Sequence, residues 1–514
     1  MKAWERELEI INNAVPVYDD DASGNEEIWE EQQTGPEEAE DGLCFIHWHS
    51  QVPGSRAHES ICTASIQATE NKGYVVDGSL WDKILLYAVP LAVTGILQQL
   101  FNAADLAVVG RYRGPNAMAA VGSNAPIISI LINLFVGVSL GTNVVLANAI
   151  GSGDKERASK CVHTSILTSV IGGVLLAIFG EIFADYAVRL MGVPEEIFKQ
   201  AVLYLRIYLL GIPVILLYNF EASIYRAIGD TQTPFWALVI SGIVNVVLNI
   251  ALVCGGGMSV DGVAIATVVS NVISSIYLLN GLVKSDSAAQ VDFSELYVSK
   301  PILRRILQIG IPAGVQGTMF SLANLVIQSS VNSLGPTVMA GSAAALNLEV
   351  FGFFVLSSFG QTCTSFVGQN NGAKKYDRCH RILYLCLAYS YLFTIMSTAT
   401  ILIFYKELLG LFCSTESVIL IGKVRVIWLS FAFIFSVVMD VFSGYLRGFG
   451  KSVGPAVISL VCICGLRIVW IMTVFKRSPN FSTLMECYPV SLGVTAFVMV
   501  IYAYIVGRNR KIKE

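Results

Sequence analysis

The chain has 514 residues, of which 54% are hydrophobic and only 14% are charged, and its mean hydropathy is +0.62. Soluble globular domains carry about 25% charged residues, so this composition excludes an ordinary soluble protein and predicts a membrane chain. The net charge of −4 conceals two different segments, because residues 1–77 hold 17 acidic and 4 basic residues whereas the remainder is basic.

The acidic segment at the start lacks a periodic apolar pattern and is interrupted by Pro16, Pro36 and Pro53. This composition predicts a disordered leader over residues 1–76. No apolar signal-peptide core follows Met1, so we expect membrane insertion to begin with the first spanning helix. The 11 cysteines include no Cys-x-x-Cys pair, and we expect small buried side chains rather than a disulfide or metal framework.

Twelve apolar stretches follow one another from Leu80 onward, each long enough to cross a bilayer as a helix. They are too long and too uniformly apolar for barrel strands, so the predicted fold is an all-α polytopic membrane protein. The predicted spans lie near 84–109, 119–149, 160–185, 200–222, 233–254, 262–283, 303–333, 338–368, 380–405, 422–446, 453–474 and 488–507.

The distribution of basic residues predicts the orientation of the spans. With both termini in the cytoplasm and the count begun after Lys83, the cytoplasmic loops with their adjoining span ends and the tail hold 18 Lys and Arg residues, and the opposite loops with their span ends hold 9. Cytoplasmic loops of membrane proteins carry an excess of Lys and Arg. We therefore expect both termini in the cytoplasm.

Three short motifs occur twice. The segment Val89–Gly95 returns as Ile311–Gly317 at an offset of 222, the loop at Gly151 returns at Asn370 at 219, and Arg226–Gly229 returns as Arg447–Gly450 at 221. Six spans separate equivalent points, so the halves have the same orientation, as in transporters built from parallel repeats. We predict two six-helix bundles, at 77–283 and 303–514 with its basic tail, joined by a cytoplasmic linker over 284–302.

Polar side chains inside the spans are the candidate functional residues, because a charge at the bilayer centre costs at least about 2.5–3.5 kcal/mol. In the first span Gln98, Asn102 and Asp105 share one helix face. An acid among amides, with no base on its stripe, suits a proton or a small hard cation. Hydrogen bonding between helices is the structural alternative, and it applies equally to Asn245 and Asn249 on the fifth span.

The second half offers further candidates for a substrate or proton pathway. Ser436 and Asp440 share a stripe with Arg447 on the tenth span, and Glu349 lies within the eighth. Asp440 pairing with Arg467 is the structural alternative. Neither an ATP-binding Gly-x-x-x-x-Gly-Lys motif nor a hydrolase motif is present, so transport energy must come from an ion gradient or from the substrate's own gradient.

Over roughly residues 77–508 the chain resembles the multidrug and toxic compound extrusion transporters. The resemblance rests on five motifs, which are Gly78-Ser79-Leu80-Trp81, Gln98-Gln99-Leu100-Phe101-Asn102-Ala103-Ala104-Asp105, Gly110-Arg111-Tyr112, Phe366-Val367-Gly368-Gln369-Asn370-Asn371-Gly372-Ala373 and Leu446-Arg447-Gly448-Phe449-Gly450. It implies a two-lobed fold of twelve helices and antiport of organic cations, often drugs, against Na⁺ or H⁺.

The resemblance also implies an ion site. In such transporters a first-helix aspartate joins two polar residues of the fifth helix and a threonine of the sixth, and the matching positions here are Asp105, Asn245, Asn249 and Thr267. Some relatives have an acid where this chain has Asn249. Others have a seventh-helix glutamate, and Phe320 stands at that position here.

We therefore expect a monomeric multi-pass transporter of the cell (inner) membrane that binds small organic cations, with no cofactor besides its coupling ion and no nucleic-acid partner. A flippase for a lipid-linked precursor on the same scaffold is the alternative. It would favour a cationic cavity, for which Arg206 and Arg467, two bases within spans, are the candidates. An intramembrane lipid-modifying enzyme is a third hypothesis, but the sequence lacks the clustered acids, histidines or metal ligands that it would need.

Overall fold

The computed structural model describes residues 75–285, 287–412 and 415–511, so the predicted leader lies outside them except for its last two residues. In the described part of the chain, twelve helices are long and apolar enough to cross a membrane. They are α1 (Trp81–Arg113), α2 (Pro115–Gly151), α3 (Lys155–Leu190), α4 (Glu195–Ile228), α5 (Gln232–Gly255), α6 (Val260–Val283), α7 (Lys300–Asn332), α8 (Pro336–Gly372), α9 (Tyr376–Ile403), α10 (Glu416–Gly448), α11 (Val453–Phe475) and α12 (Phe481–Arg508).

All twelve predicted spans are confirmed, and most helices extend beyond the apolar run that predicted them. Helix α3, for example, begins at Lys155 because Asp154 caps it by accepting a hydrogen bond from the backbone N–H of Arg157 at 2.9 Å. Capping by an aspartate lets a helix start within a polar segment. Hydropathy therefore located the spans but not their ends.

The repeat is visible in the backbone as well as in the sequence. Three pairs of residues with positive φ are each separated by 221 positions, namely Gly114 and Gly335, Gly153 and Lys374, and Gly229 and Gly450. The offset of 219 predicted for the second pair is therefore wrong. The two loops share a left-handed turn after the helix end, and Lys374 occupies the place where the first half has a glycine.

Lys374, with φ of 59°, is the one non-glycine residue with positive φ among those the structure describes. This conformation costs an L residue roughly 1–2 kcal/mol, and glycine avoids that cost but loses about 0.5–1 kcal/mol in chain entropy. We expect Lys374→Gly to raise the free energy of unfolding by up to about 1 kcal/mol. Thermal unfolding of the detergent-solubilised protein measures this, with Lys374→Ala, which keeps the strain, as the control. A midpoint lower for the glycine variant than for the alanine variant would contradict it.

The two halves meet along α2 and α7 through small residues. Gly137 and Gly141 of α2 face Gly310 and Gly314 of α7, and a Cβ atom at any of the four would overlap the backbone of the opposite helix. Small residues four apart allow two membrane helices to approach closely. The glycine spacing therefore determines how tightly the halves close on each other.

Side-chain hydrogen bonds between the halves concentrate at one end, which we call the linker end because the connection between α6 and α7 lies there. Tyr87 Oη donates to Ser365 Oγ at 2.7 Å, and Asn371 Nδ2 donates to Asn148 Oδ1 at 2.6 Å. Gln369 adds a bond of 2.6 Å to the carbonyl of Ala227. The structure therefore represents a conformation closed at the linker end.

The residues just before α1 fasten to the second half at the same end. Val75 is buried, and its carbonyl oxygen accepts a hydrogen bond from Asn370 Nδ2 at 3.3 Å. Asp77 pairs with Lys375 at 2.5 Å, and this partner holds the pKa of the Asp77 carboxyl below its usual value. The packed part of the chain therefore includes Val75, which the sequence placed in the leader.

Candidate functional site

The first half contains a buried polar cluster built from α1, α5 and α6. Asn249 Nδ2 donates to Asp105 Oδ1 at 2.5 Å and to Asn245 Oδ1 at 3.2 Å, and Thr267 Oγ1 donates to Asp105 Oδ2 at 3.3 Å. Asp105 is only 8% exposed and Asn249 is fully buried. The structure thus brings together the four residues that the resemblance grouped.

Two local features of α5 shape this cluster. Helix α5 approaches α1 closely at Gly242, where a Cβ atom would overlap the ring of Phe101. Directly after Asn249 the helix changes from α to π geometry, over Ile250–Gly255. A π turn inside a helix is rare and frequently marks a functional site. The two asparagines therefore face Asp105 from the last regular turns of α5.

The chemistry of the cluster fits a small cation. Asn249 Oδ1 is buried and accepts no hydrogen bond from the described residues. With the Asp105 carboxylate, the Asn245 amide and the Thr267 hydroxyl, it gives four oxygen-bearing groups, the donor type that hard cations prefer. A single carboxylate can balance one monovalent cation or take one proton.

Gln98 and Asn102 lie on the same face of α1 as Asp105, but they do not belong to its buried cluster. Both are exposed, and no hydrogen bond in the described part of the chain joins either to Asp105. Tyr204 and Tyr208 of α4, which were not predicted from the sequence, are buried near Asp105. Their rings stack with the centroids 6.2 Å apart. Their only sequence signal is two tyrosines four apart in an apolar helix.

Glu349 of the second half is held in an ion pair. Arg425 of α10, which is almost fully buried, donates from Nη2 to Glu349 Oε2 at 2.8 Å and from Nη1 to Ser342 Oγ at the same distance. Arg425 was not predicted from the sequence, where its signal is a base inside the apolar tenth span. In this conformation the Glu349 charge is balanced, which weakens its assignment to a substrate or proton pathway.

The predicted stripe on α10 does not form one cluster. Ser436 Oγ donates to the carbonyl of Ala432 in its own helix, and Arg447 Nη2 turns to Gln316 Oε1 at 2.7 Å. Asp440 is half-buried and makes no hydrogen bond with the described residues, though it lies within electrostatic range of Arg447.

The two bases predicted within spans have different surroundings from those expected. The alternative pairing of Asp440 with Arg467 is wrong, because Arg467 bonds to Asn324 Oδ1 at 2.8 Å and to Ser491 Oγ at 3.3 Å. The side chain of Arg206 is 46% exposed and forms an ion pair with Asp185 at 3.1 Å. Only Arg467 of the two is an interior base.

The MatE family model matches residues 90–251 and 312–473, which together cover more than half of the chain. The chain belongs to the MatE family. The two matched segments begin 222 positions apart, which is the offset between Pro90 and Pro312 in the repeated motif, so the family unit occurs twice in this MatE protein.

Individual relatives agree with this assignment. "Probable multidrug resistance protein YoeA" of Bacillus subtilis (strain 168) is 26% identical over 84% of this chain and 96% of its own length. The "FAD transporter" of Shewanella oneidensis is 24% identical over 80% of this chain and 90% of its own. A crystal structure described as MATE in the bent conformation has a TM-score of 0.80 at 22% identity, covering 86% of this chain and 99% of that one.

These similarities decide between the broad classes of function. MatE proteins are membrane transporters and not enzymes, which excludes the hypothesis of an intramembrane lipid-modifying enzyme. The protein is a multi-pass membrane transporter with two repeated halves of six helices. The relatives are named for drug resistance and FAD transport, which does not favour the flippase alternative.

Proposed function

We propose that this MatE protein exports small organic cations, including drugs, by antiport against Na⁺ or H⁺, and that Asp105 receives the coupling ion. The observation that carries the proposal is the buried cluster of Asp105, Asn245, Asn249 and Thr267, with its unused amide oxygen. An intramembrane acid with oxygen donors around it is expensive to insert and is the usual mark of an ion pathway.

The coupling mechanism follows from the closed linker end. With the linker in the cytoplasm of a bacterial cell, this conformation faces outward, and an external ion can reach the Asp105 cluster. Binding of Na⁺ requires Asn249 to present Oδ1 instead of Nδ2, which alters the contact between α1 and α5. Cargo leaves if its affinity is lower in the ion-bound state, and the halves then rock to open the linker end.

The protein works as a monomer in the cell membrane, with both termini in the cytoplasm and no cofactor besides the transported ion. Relatives named for such different molecules as drugs and FAD indicate that family membership does not determine the cargo. Organic cations are the first class to test because the only unbalanced charge of the first-half cluster is the Asp105 carboxylate.

The direct test is efflux of a fluorescent organic cation from proteoliposomes, with a Na⁺ gradient and a pH gradient imposed separately. Efflux driven by one gradient and not the other identifies the coupling ion. The absence of efflux under both gradients, with protein shown to be correctly inserted, would overturn antiport of organic cations.

Thr267→Val distinguishes Na⁺ coupling from H⁺ coupling through the loss of one oxygen ligand. The substitution keeps the shape of the side chain and removes the hydroxyl that reaches Asp105. We expect it to weaken Na⁺ binding by about tenfold, the value of one charge-assisted contact, and to leave protonation-driven efflux nearly unchanged. The matched control is Thr400→Val, because the Thr400 hydroxyl is exposed and donates a hydrogen bond only within its own helix. Equal Na⁺ dependence in both variants would remove Thr267 from the site.

A further inference from the structure

The second half contains a buried positive charge that no acid balances. Arg467 of α11 is 1% exposed, and none of the carboxylates in the described part of the chain lies within ion-pair distance of it. The neighbouring Arg425 is already paired with Glu349. An unpaired charge in this position is costly and is retained where it has a use.

The surroundings of Arg467 leave one donor free. Nε donates to Ser491 Oγ of α12 and Nη1 donates to Asn324 Oδ1 of α7, whereas Nη2 is buried without any partner. Aromatic rings lie close to the guanidinium, with Tyr488 at 4.4 Å and Phe320 at 5.3 Å from its carbon. The guanidinium is therefore fixed in orientation by two neutral acceptors and two rings, and keeps an unused donor.

The repeat places this arginine opposite the ion site of the first half. Pro234 of α5 and Pro455 of α11 are equivalent at an offset of 221, but α11 then contains a π-helical segment, Leu460–Gly465, that α5 lacks before its asparagines. A π turn holds one more residue than an α turn, so the offset becomes 222. Arg467 then occupies the place of Asn245.

The equivalent of Asp105 at this offset is Ile327, a buried apolar residue. The two halves thus contain the same corner of three helices with opposite chemistry. In the first half α1, α5 and α6 surround an acid, and in the second half α7, α11 and α12 surround a base.

We infer that the corner of α7, α11 and α12 binds the anionic group of a transported aromatic molecule, a carboxylate or a phosphate, through Nη2 of Arg467. A guanidinium recognises both groups because they accept parallel N–H donors. The rings of Tyr488 and Phe320 lie beside the guanidinium, so an aromatic cargo would pack against aromatic side chains when the corner opens. The corner is enclosed in this conformation. Arg467 lies in a short α-helical piece, Leu466–Trp470, between two π-helical segments, so we expect α11 to shift its register when the corner opens.

That the ligand is cargo rests on the proposed export function, but its binding can be tested without any gradient. Fluorescence titration of the full-length protein in nanodiscs would use three probes with one ring system, which are naphthoate, naphthyl phosphate and naphthylmethylammonium. Arg467→Gln is expected to weaken binding of naphthoate, naphthyl phosphate or both by at least about tenfold, the loss of one charge-assisted contact. Binding of the ammonium probe should change by less than about twofold. The preferred anion of the wild type distinguishes a carboxylate from a phosphate ligand.

Two further variants separate recognition from a structural role. Arg206→Gln removes an exposed arginine with acid partners and should leave all three affinities unchanged. Arg467→Lys keeps the charge and should retain part of the anion affinity. Equal weakening of all three probes by Arg467→Gln, or a wild type that binds neither anion, would overturn the inference. Loss of anion binding with gradient-driven efflux of the fluorescent cation intact would support the anion site and leave the antiport proposal standing.

Discussion

Replacing Asp105 with asparagine is expected to abolish proton-driven efflux, or to reduce Na⁺-driven efflux by at least about tenfold, while the helices remain assembled. Asparagine has nearly the same shape, but it removes the one carboxylate of the cluster that includes Asn249 and Thr267. The loss of a charge-assisted interaction of about 1.5–3 kcal/mol weakens ion binding roughly tenfold to hundredfold. A proton can no longer be carried at this position at all. The measurement is the initial rate of efflux at an ion concentration below saturation for the wild type.

The control for this variant is Asp185→Asn, which neutralises an exposed carboxylate of α3 paired with Arg206. It should leave the rate within about twofold, because exposed ion pairs contribute little. Exchange of cargo without any gradient separates coupling from folding, and we expect Asp105→Asn to retain exchange. Gradient-driven efflux of Asp105→Asn equal to that of the control would remove Asp105 from the ion site.

The sequence predicted those parts of the structure that depend on the hydrophobicity of consecutive residues along the chain. A helix that crosses a bilayer needs about 20 apolar residues, so the twelve spans could be counted directly. Asp105 was visible because a lone acid in such a span is costly. Thr267 was different, since a threonine on an apolar helix is ordinary, and only the resemblance to a family grouped it with Asp105.

What the sequence did not predict depends on how helices rotate against one another. Arg425 and Glu349 lie on different helices, and their pairing follows from the contact of α8 with α10 rather than from any spacing. The same holds for Arg467, whose partners come from α7 and α12. The π-helical segments of α5 and α11 have no sequence signature, and yet they decide which residues of the two repeats are equivalent.

The alignment of the two repeated loops at Gly153 and Lys374 also could not be predicted from residue identity. Matching glycines and lysines by letter gave an offset of 219, whereas the backbone turn repeats at 221. A left-handed turn can be formed by a non-glycine residue at a modest cost, so the conformation persists after its usual residue is lost.

Gly137→Leu is expected to remove most transport by preventing closure at the linker end. A Cβ atom at Gly137 overlaps the backbone of Gly314, so α2 and α7 must separate to accept the side chain. Overpacking of this kind costs about 1–3 kcal/mol, which lowers the ratio of closed to open conformations by about fivefold to 150-fold. Alternating access needs this conformation in every cycle, so the efflux rate should fall by a similar factor.

The conformational cause can be measured directly alongside the rate. Spin labels at Lys155 and Lys374, both exposed at the linker end, report the separation of the halves in a background without native cysteines. Gly137→Leu should shift their distance distribution to longer values. Gly507→Leu, at a glycine whose Cβ would meet no atom of the described chain within 4 Å, should change neither the distances nor the rate. If Gly137→Leu lost transport while the distances stayed unchanged, the variant would still close at the linker end. That result would contradict the proposed role of the α2 and α7 glycines in closure.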